Sequence, residues 1–198
     1  MSEAEDLRTR PPVIGGEEPL DEEAILAGAH RGLGMLRRLR VSRGRLRSAD
    51  ASMRLVHHPM WLAKVVSYAD RPPFPAKAKP NVVFVDAVSG YRGVLETMPA
   101  LTKLVPAGHD TPEPVVASEP DARRYVAAVL RRVDRSYLLK KPRHVIRDLT
   151  IAFLPLWHVR VDLDGGIECV VNGNTGEPET YMASLWGSRE WLDVDLAG

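Results

Sequence analysis

Helical and strand-like periodicities alternate twice along this chain. From residue 21, Ile25, Ala29, Leu33 or Leu36, and Leu39 recur at helical spacing. Asp21 is placed to cap that helix, and Glu22 and Glu23 fall in its first turn, where negative charge is favourable. A second helix is predicted after Ser118-Glu-Pro-Asp121, a capping-box-like start with proline in the first turn. Its apolar stripe is Ala122, Val126, Val129 and Val133, widened by Tyr125 and Leu130. After each helix the period changes to two. Val145, Arg147, Leu149, Ile151 and Phe153 alternate with more polar neighbours, and Trp157, Val159 and Val161 resume the pattern beyond Pro155.

Two strand-like stretches repeat each other. MRLVHHPMWLAKV at 53–65 aligns with LTIAFLPLWHVRV at 149–161, pairing Pro59 with Pro155 and Trp61 with Trp157. Farther on, VVFVDAVSG at 82–90 aligns with ECVVNGNTG at 168–176, pairing Asp86 with Asn172, Ser89 with Thr175 and Gly90 with Gly176. Proline cannot donate to a ladder, so Pro59 and Pro155 should mark a bulge, a bend or an edge. Glycine supplies the positive φ that tight turns require, so 86–90 and 172–176 read as turns. The segment 67–80, SYADRPPFPAKAKP, reads as a long hairpin connection, matched by the short Asp162-Leu-Asp-Gly-Gly166.

The expected fold class is therefore α+β, a tandem duplication in which each copy is a helix packed on a three- or four-stranded antiparallel sheet. Residues 1–18 form an acidic flexible tail, 19–104 the first repeat, 105–118 a Pro-rich linker and 119–198 the second repeat. The VDAVSG and VNGNTG turns, each following helix, strand and hairpin, resemble those of the PepSY-like small α+β domains. That group shares a valine–aspartate–alanine–x–threonine–glycine turn between two strands; Asn172 departs from its aspartate. The Pro-x-Trp strand is similar to a tyrosine–proline–tyrosine–tryptophan strand of related small modules, although HHPMW and FLPLW lack the aromatic pair. The resemblance implies an inhibitory or regulatory binding module.

Composition narrows the classes further. The chain has 198 residues with 44% hydrophobic and 27% charged, and Lys+Arg of 27 against Asp+Glu of 26 leaves a net charge of +1. That is no polycation, and the apolar fraction suffices for a core. One cysteine cannot form an internal disulfide framework. No run of about 18 apolar residues is present, so no membrane span is expected. The acidic start, without an apolar stretch, makes a cytoplasmic chain the expectation.

No catalytic constellation is expected. Nucleophile-elbow, phosphate-loop and dinucleotide-binding patterns are absent from the sequence. His57 and His58, adjacent on a strand, would point to opposite faces, and His30, His109, His144 and His158 have no chelating spacing, so neither metal nor cofactor is expected. Cys169 shares a strand face with Ile167 and Val171 and reads as a small apolar filler.

Three groups remain as binding candidates. Trp61 and Trp157, with His58 and His158, are core in the first reading and line a groove between the copies in the second. Trp186 and Trp191 make the C-terminal segment aromatic-rich, as binding hot spots are. From Arg31 to Arg47 there are seven arginines and no acid, Arg38, Arg40, Arg43 and Arg45 among them. The expected function is a non-enzymatic protein- or peptide-binding accessory module acting through a sheet edge or that groove. The runner-up is a small-molecule-binding protein or enzyme with a pocket between the copies. The third is nucleic-acid binding through Arg31–Arg47. A homo-oligomer is compatible with each.

Overall fold

The computed structural model describes residues 11–16, 20–49, 51–71, 73–102, 110–137, 140–163 and 165–194. Of the tail expected at 1–18, residues 1–10, 17 and 18 lie outside the described residues, as do 105–109 of the linker expected at 105–118; the described parts are not loose, since Val13 and Ile14 are a buried strand and Val116 is buried. Among the described residues, five helices and seven strands give a mixed α+β fold dominated by sheet. The strands are β1 (Val13–Ile14), β2 (Ala51–Arg71), β3 (Phe74–Asp86), β4 (Arg92–Leu95), β5 (Leu101–Thr102), β6 (Arg143–Val161) and β7 (Ile167–Asn172). The helices are α1 (Glu22–Gly32), α2 (Met35–Arg40), α3 (Arg43–Ser48), α4 (Glu119–Asp134) and α5 (Thr180–Leu185). Sheet order is β4-β3-β2-β6-β1-β5, with β7 also paired to β6.

Contacts divide the chain into two compact units, each assembled from three separate stretches. One comprises Met1–His58, Ala100–Pro112 and Phe153–Ser184; the other comprises Pro59–Pro99, Glu113–Ala152 and Leu185–Gly198.

In the unit containing α1, the Asp21 carboxylate accepts from the Ala24 amide at 2.7 Å, the cap expected from the sequence. The helix then stops earlier than its periodicity suggests. It ends at Gly32, and Leu33 and Gly34 are extended before α2 begins. Glycine weakens a helix interior, and two of them flank Leu33. Ile25, Leu26, Ala29 and Leu33 pack with Val41 and Leu46 against Val159, Val161, Ile167 and Val171 of β6 and β7.

In the other unit the alternate positions Trp61, Ala63 and Val65 of β2 and Val83 and Val85 of β3 face α4. There they meet Ala122, Tyr125, Val126 and Val129. Ser118 caps α4 by accepting from the Asp121 amide. The 67–80 segment, expected as a connection, is instead mostly strand. β2 and β3 pair from Met60↔Asp86 out to Ala69↔Lys77, with Val66 opposite Pro80 and Ser67 opposite Lys79. Pro75 and Pro80 fit because β4 covers β3 only from Val82 to Val85, and proline is tolerated in such a position.

Both turns are built by the same bonds. The Asp86 carboxylate accepts from the amides of Val88 (2.8 Å) and Ser89 (3.3 Å), and the Ser89 hydroxyl accepts from the Tyr91 amide. Asn172 Oδ1 accepts from Asn174 (2.9 Å) and Thr175 (3.3 Å), and the Thr175 hydroxyl accepts from the Glu177 amide. The Pro59 carbonyl accepts from Ala87 and the Pro155 carbonyl from Gly173, so each proline sits where its hairpin ladder begins. The difference follows from chemistry. The second carboxylate oxygen of Asp86 accepts from the Ser89 hydroxyl, whereas the amide nitrogen of Asn172 donates to Glu179.

Gly90 and Gly176 close these turns at φ 75° and 68°. A β-carbon at Gly90 would lie 2.7 Å from the Trp191 carbonyl oxygen, while at Gly176 the nearest atom would be 3.4 Å away. Gly176→Ala should therefore cost the left-handed backbone penalty of about 1–2 kcal/mol, and Gly90→Ala measurably more. Denaturant melts of the two variants check the order. Trp61 is 7% exposed and its indole N–H donates to the Val116 carbonyl at 2.8 Å. Trp61→Ala should cost about 3–5 kcal/mol, and Trp157→Ala, at a half-buried margin, less. The same melts measure both, and equal losses would contradict the difference in burial.

Candidate binding surfaces

The four tryptophans occupy different surroundings. Trp61 is core, as just described, and Trp157 packs at the margin of the α1 unit's core. The C-terminal segment folds back through Trp191. Its ring meets Tyr91 edge to face at 5.1 Å, its carbonyl accepts from Arg92 at 2.6 Å, and the Arg92 guanidinium lies over both Trp191 and Tyr125. The Tyr125 hydroxyl donates to the Leu192 carbonyl at 2.7 Å. Burial lowers the Arg92 pKa, and it raises that of Tyr125. Trp186 is half-buried just beyond α5.

His58 is wholly buried, and His158 is half-buried beside a cavity of about 750 Å³ within the α1 unit. Arg37, Arg54, Arg160, Glu168 and Cys169 also line this cavity; Trp61, Trp157 and His58 do not. Its volume suits a small ligand. Two of its cations are already paired, Arg54 with Asp110 at 2.9 Å and Arg160 with Glu168 at 2.7 Å. The His158 pKa is lowered, first by burial and then by Arg54 and His58, with Glu168 opposing. The neutral imidazole is thereby favoured. Burial pushes the Cys169 thiol up to about 11, which suppresses the thiolate.

The arginines lie on two short helices. Arg38 and Arg40 are exposed on α2, and Arg43 and Arg45 are exposed on α3. Arg45 donates to the Arg40 carbonyl at 2.9 Å.

One polar cluster has no sequence signature. Ser67 Oγ lies 2.8 Å from His144 Nδ1, and His144 Nε2 lies 2.9 Å from Asp134. Asn81 Nδ2 donates to the same serine oxygen at 2.9 Å. A single assignment satisfies every group: Asn81 donates to Ser67, Ser67 to His144, and His144 to Asp134. This is the chemical order of a hydrolytic triad, but Ser67 is only 2% exposed and cannot meet a substrate. The chain of bonds instead ties the end of α4 to β2, β3 and β6. Residues 67, 81, 134 and 144 are too far apart in sequence for any motif to reveal them.

Among the described residues, no group of three or more His, Cys, Asp or Glu could hold a metal ion, and no helix is long and apolar enough to cross a membrane. No family model, curated protein or solved structure matches the chain.

The thiol's environment is directly testable. At about pH 8, a thiol-directed disulfide reagent should label Cys169 in the folded protein roughly 100-fold more slowly than in urea, as the raised pKa requires. Equal rates would show an ordinary exposed thiol.

Proposed function

We propose that the chain is a swapped tandem duplication that works as a non-enzymatic binding module, its occupant an extended, acidic protein segment at the open edge of β3. The duplication is supported by the matched bonds of the two turns, down to the proline carbonyl that each engages. In this reading each unit takes its helix from one copy and its hairpin from the other: α4 covers β2 and β3, and α1 covers β6 and β7. The PepSY-like reading belongs to the same proposal and rests on the same turns.

The observation that carries the binding role is the free edge. Among the described residues β3 has no outer partner from Phe74 to Asn81, and Phe74 to Pro80 are exposed. An unpaired edge is a template for an added strand. Lys77 and Lys79 with Pro75 and Pro80 deter pairing with another copy of the same edge, since like charges would face each other. They favour a segment carrying Asp or Glu. Nearby basic groups add to the field: Arg143 stacks on Tyr68 at 4.7 Å, and Arg147 donates to the Tyr68 hydroxyl. A second reading, a small-molecule site, rests on the 750 Å³ cavity of the α1 unit.

Lys77→Glu with Lys79→Glu should leave stability within about 0.5 kcal/mol, because both side chains are exposed. Partners captured from a native lysate by the wild type should be lost by the variant. In the captured complex, backbone amides between residues 76 and 79 should gain protection from hydrogen exchange. Capture that survives the charge reversal, or protection confined to other residues, would refute the edge as the site.

A further inference from the structure

The segment from Leu33 to Leu46 is pinned at both ends and pushed outward between them. Leu33, Val41 and Leu46 are buried in the α1 unit's core, and the Val41 carbonyl is held 2.9 Å from the His30 ring. Between these anchors, α2 has no buried residue. Met35 is 78% exposed, Leu36 73% and Leu39 80%. Single exposed leucines are ordinary, but three large apolar side chains within five residues form a patch.

The helix geometry arranges this patch. At 3.6 residues per turn, Met35, Leu36 and Leu39 fall within one arc of about 100°, with Arg38 on one flank and Arg37 and Arg40 on the other. Positive charge continues into α3 with Arg43, Arg45 and Arg47. Arg31 and Arg47 are paired with Glu177 and Glu23. Arg37, Arg38, Arg40 and Arg43 have no ion pair among the described residues, and Arg37, Arg40 and Arg45 surround a cavity of about 580 Å³ beside the apolar stripe.

We propose that α2 is a docking surface for an anionic phospholipid bilayer. Met35, Leu36 and Leu39 enter the boundary between headgroups and acyl chains, and the flanking guanidiniums take the phosphates. A nucleic acid would use the charge but not the apolar stripe, whose side chains have no bases to enter. An acidic peptide would leave the same stripe in water. An anionic bilayer satisfies both halves of the surface at once, because long basic side chains extend their charged ends toward the headgroups while their stems cover apolar surface. The anchors hold the stripe outward before any membrane is met, so docking need not order the backbone.

Vesicle cosedimentation tests this on the full chain. Wild-type protein should bind vesicles of equal parts phosphatidylcholine and phosphatidylglycerol, and bind pure phosphatidylcholine at least roughly tenfold more weakly. Leu36→Ser with Leu39→Ser should weaken anionic-vesicle binding roughly tenfold or more, and Arg37→Gln, Arg38→Gln and Arg40→Gln together roughly 100-fold. Thermal melts should be unchanged in both variants, since every altered side chain is exposed. Absence of binding to anionic vesicles overturns the proposal. So does binding that the arginine variant loses and the leucine variant keeps; duplex DNA binding with that same pattern would assign the surface to nucleic acid.

Discussion

Burial of the Trp61, Ala63 and Val65 face of β2 under α4 is the constraint from which the rest of its unit follows. An apolar sheet face must be covered, and the nearest helix in sequence does not cover this one. The covering helix begins at Glu119, well beyond the hairpin that it shields. The α1 unit solves the same problem with Ile25, Leu26 and Ala29, which meet Val159, Val161, Ile167 and Val171 from much later in the chain. Each unit thus depends on contacts between distant segments. Loss of one large side chain such as Trp61 removes packing from helix and hairpin together.

The turns connect this packing to the helices. Gly28 sits so close to the second turn that a β-carbon there would lie 2.2 Å from the Gly176 carbonyl oxygen, and Arg31 of the same helix donates to that oxygen at 2.7 Å. In the other unit Arg92 donates to the Gly90 carbonyl at 3.1 Å and to Trp191. An arginine therefore holds the carbonyl of each closing glycine, and the missing β-carbon of Gly28 permits the close approach of α1 to the second turn. Asp86 is wholly buried among its turn bonds, which supply the partners that a buried carboxylate needs.

A net charge of +1 conceals how unevenly charge is distributed. The Arg31–Arg47 segment and the β2–β3 end are basic, while acids are spent on pairs such as Arg54–Asp110, Lys64–Asp148 and Arg123–Glu119. These exposed pairs contribute little to stability. They do leave local surfaces whose sign differs from that of the whole, which is what a partner meets on approach.

Features whose bonds close within a few residues were legible in the residues alone. The Asp21 and Ser118 caps, the period-two strands, the positive-φ glycines at 90 and 176 and the prolines at the hairpin roots could all be read this way, because capping, turn closure and side-chain alternation are local. Trp61 and Trp157, open in the sequence between core and groove lining, were separated only by packing, which buries Trp61 and leaves Trp157 half-buried. Tertiary structure alone decided which helix covers which hairpin, since complementarity between buried faces, not chain proximity, selects the partner. It made strand of 67–80, where pairing with β2 outweighs the turn-like composition. It buried Leu33 and Val41 and left Leu36 and Leu39 in solvent, although the spacing of these leucines continues the helical pattern that the glycines at 32 and 34 interrupt. It also brought Ser67, Asn81, Asp134 and His144 into one chain of hydrogen bonds, a meeting of four elements that no local pattern encodes because each bond joins atoms whose residues are neighbours only after folding.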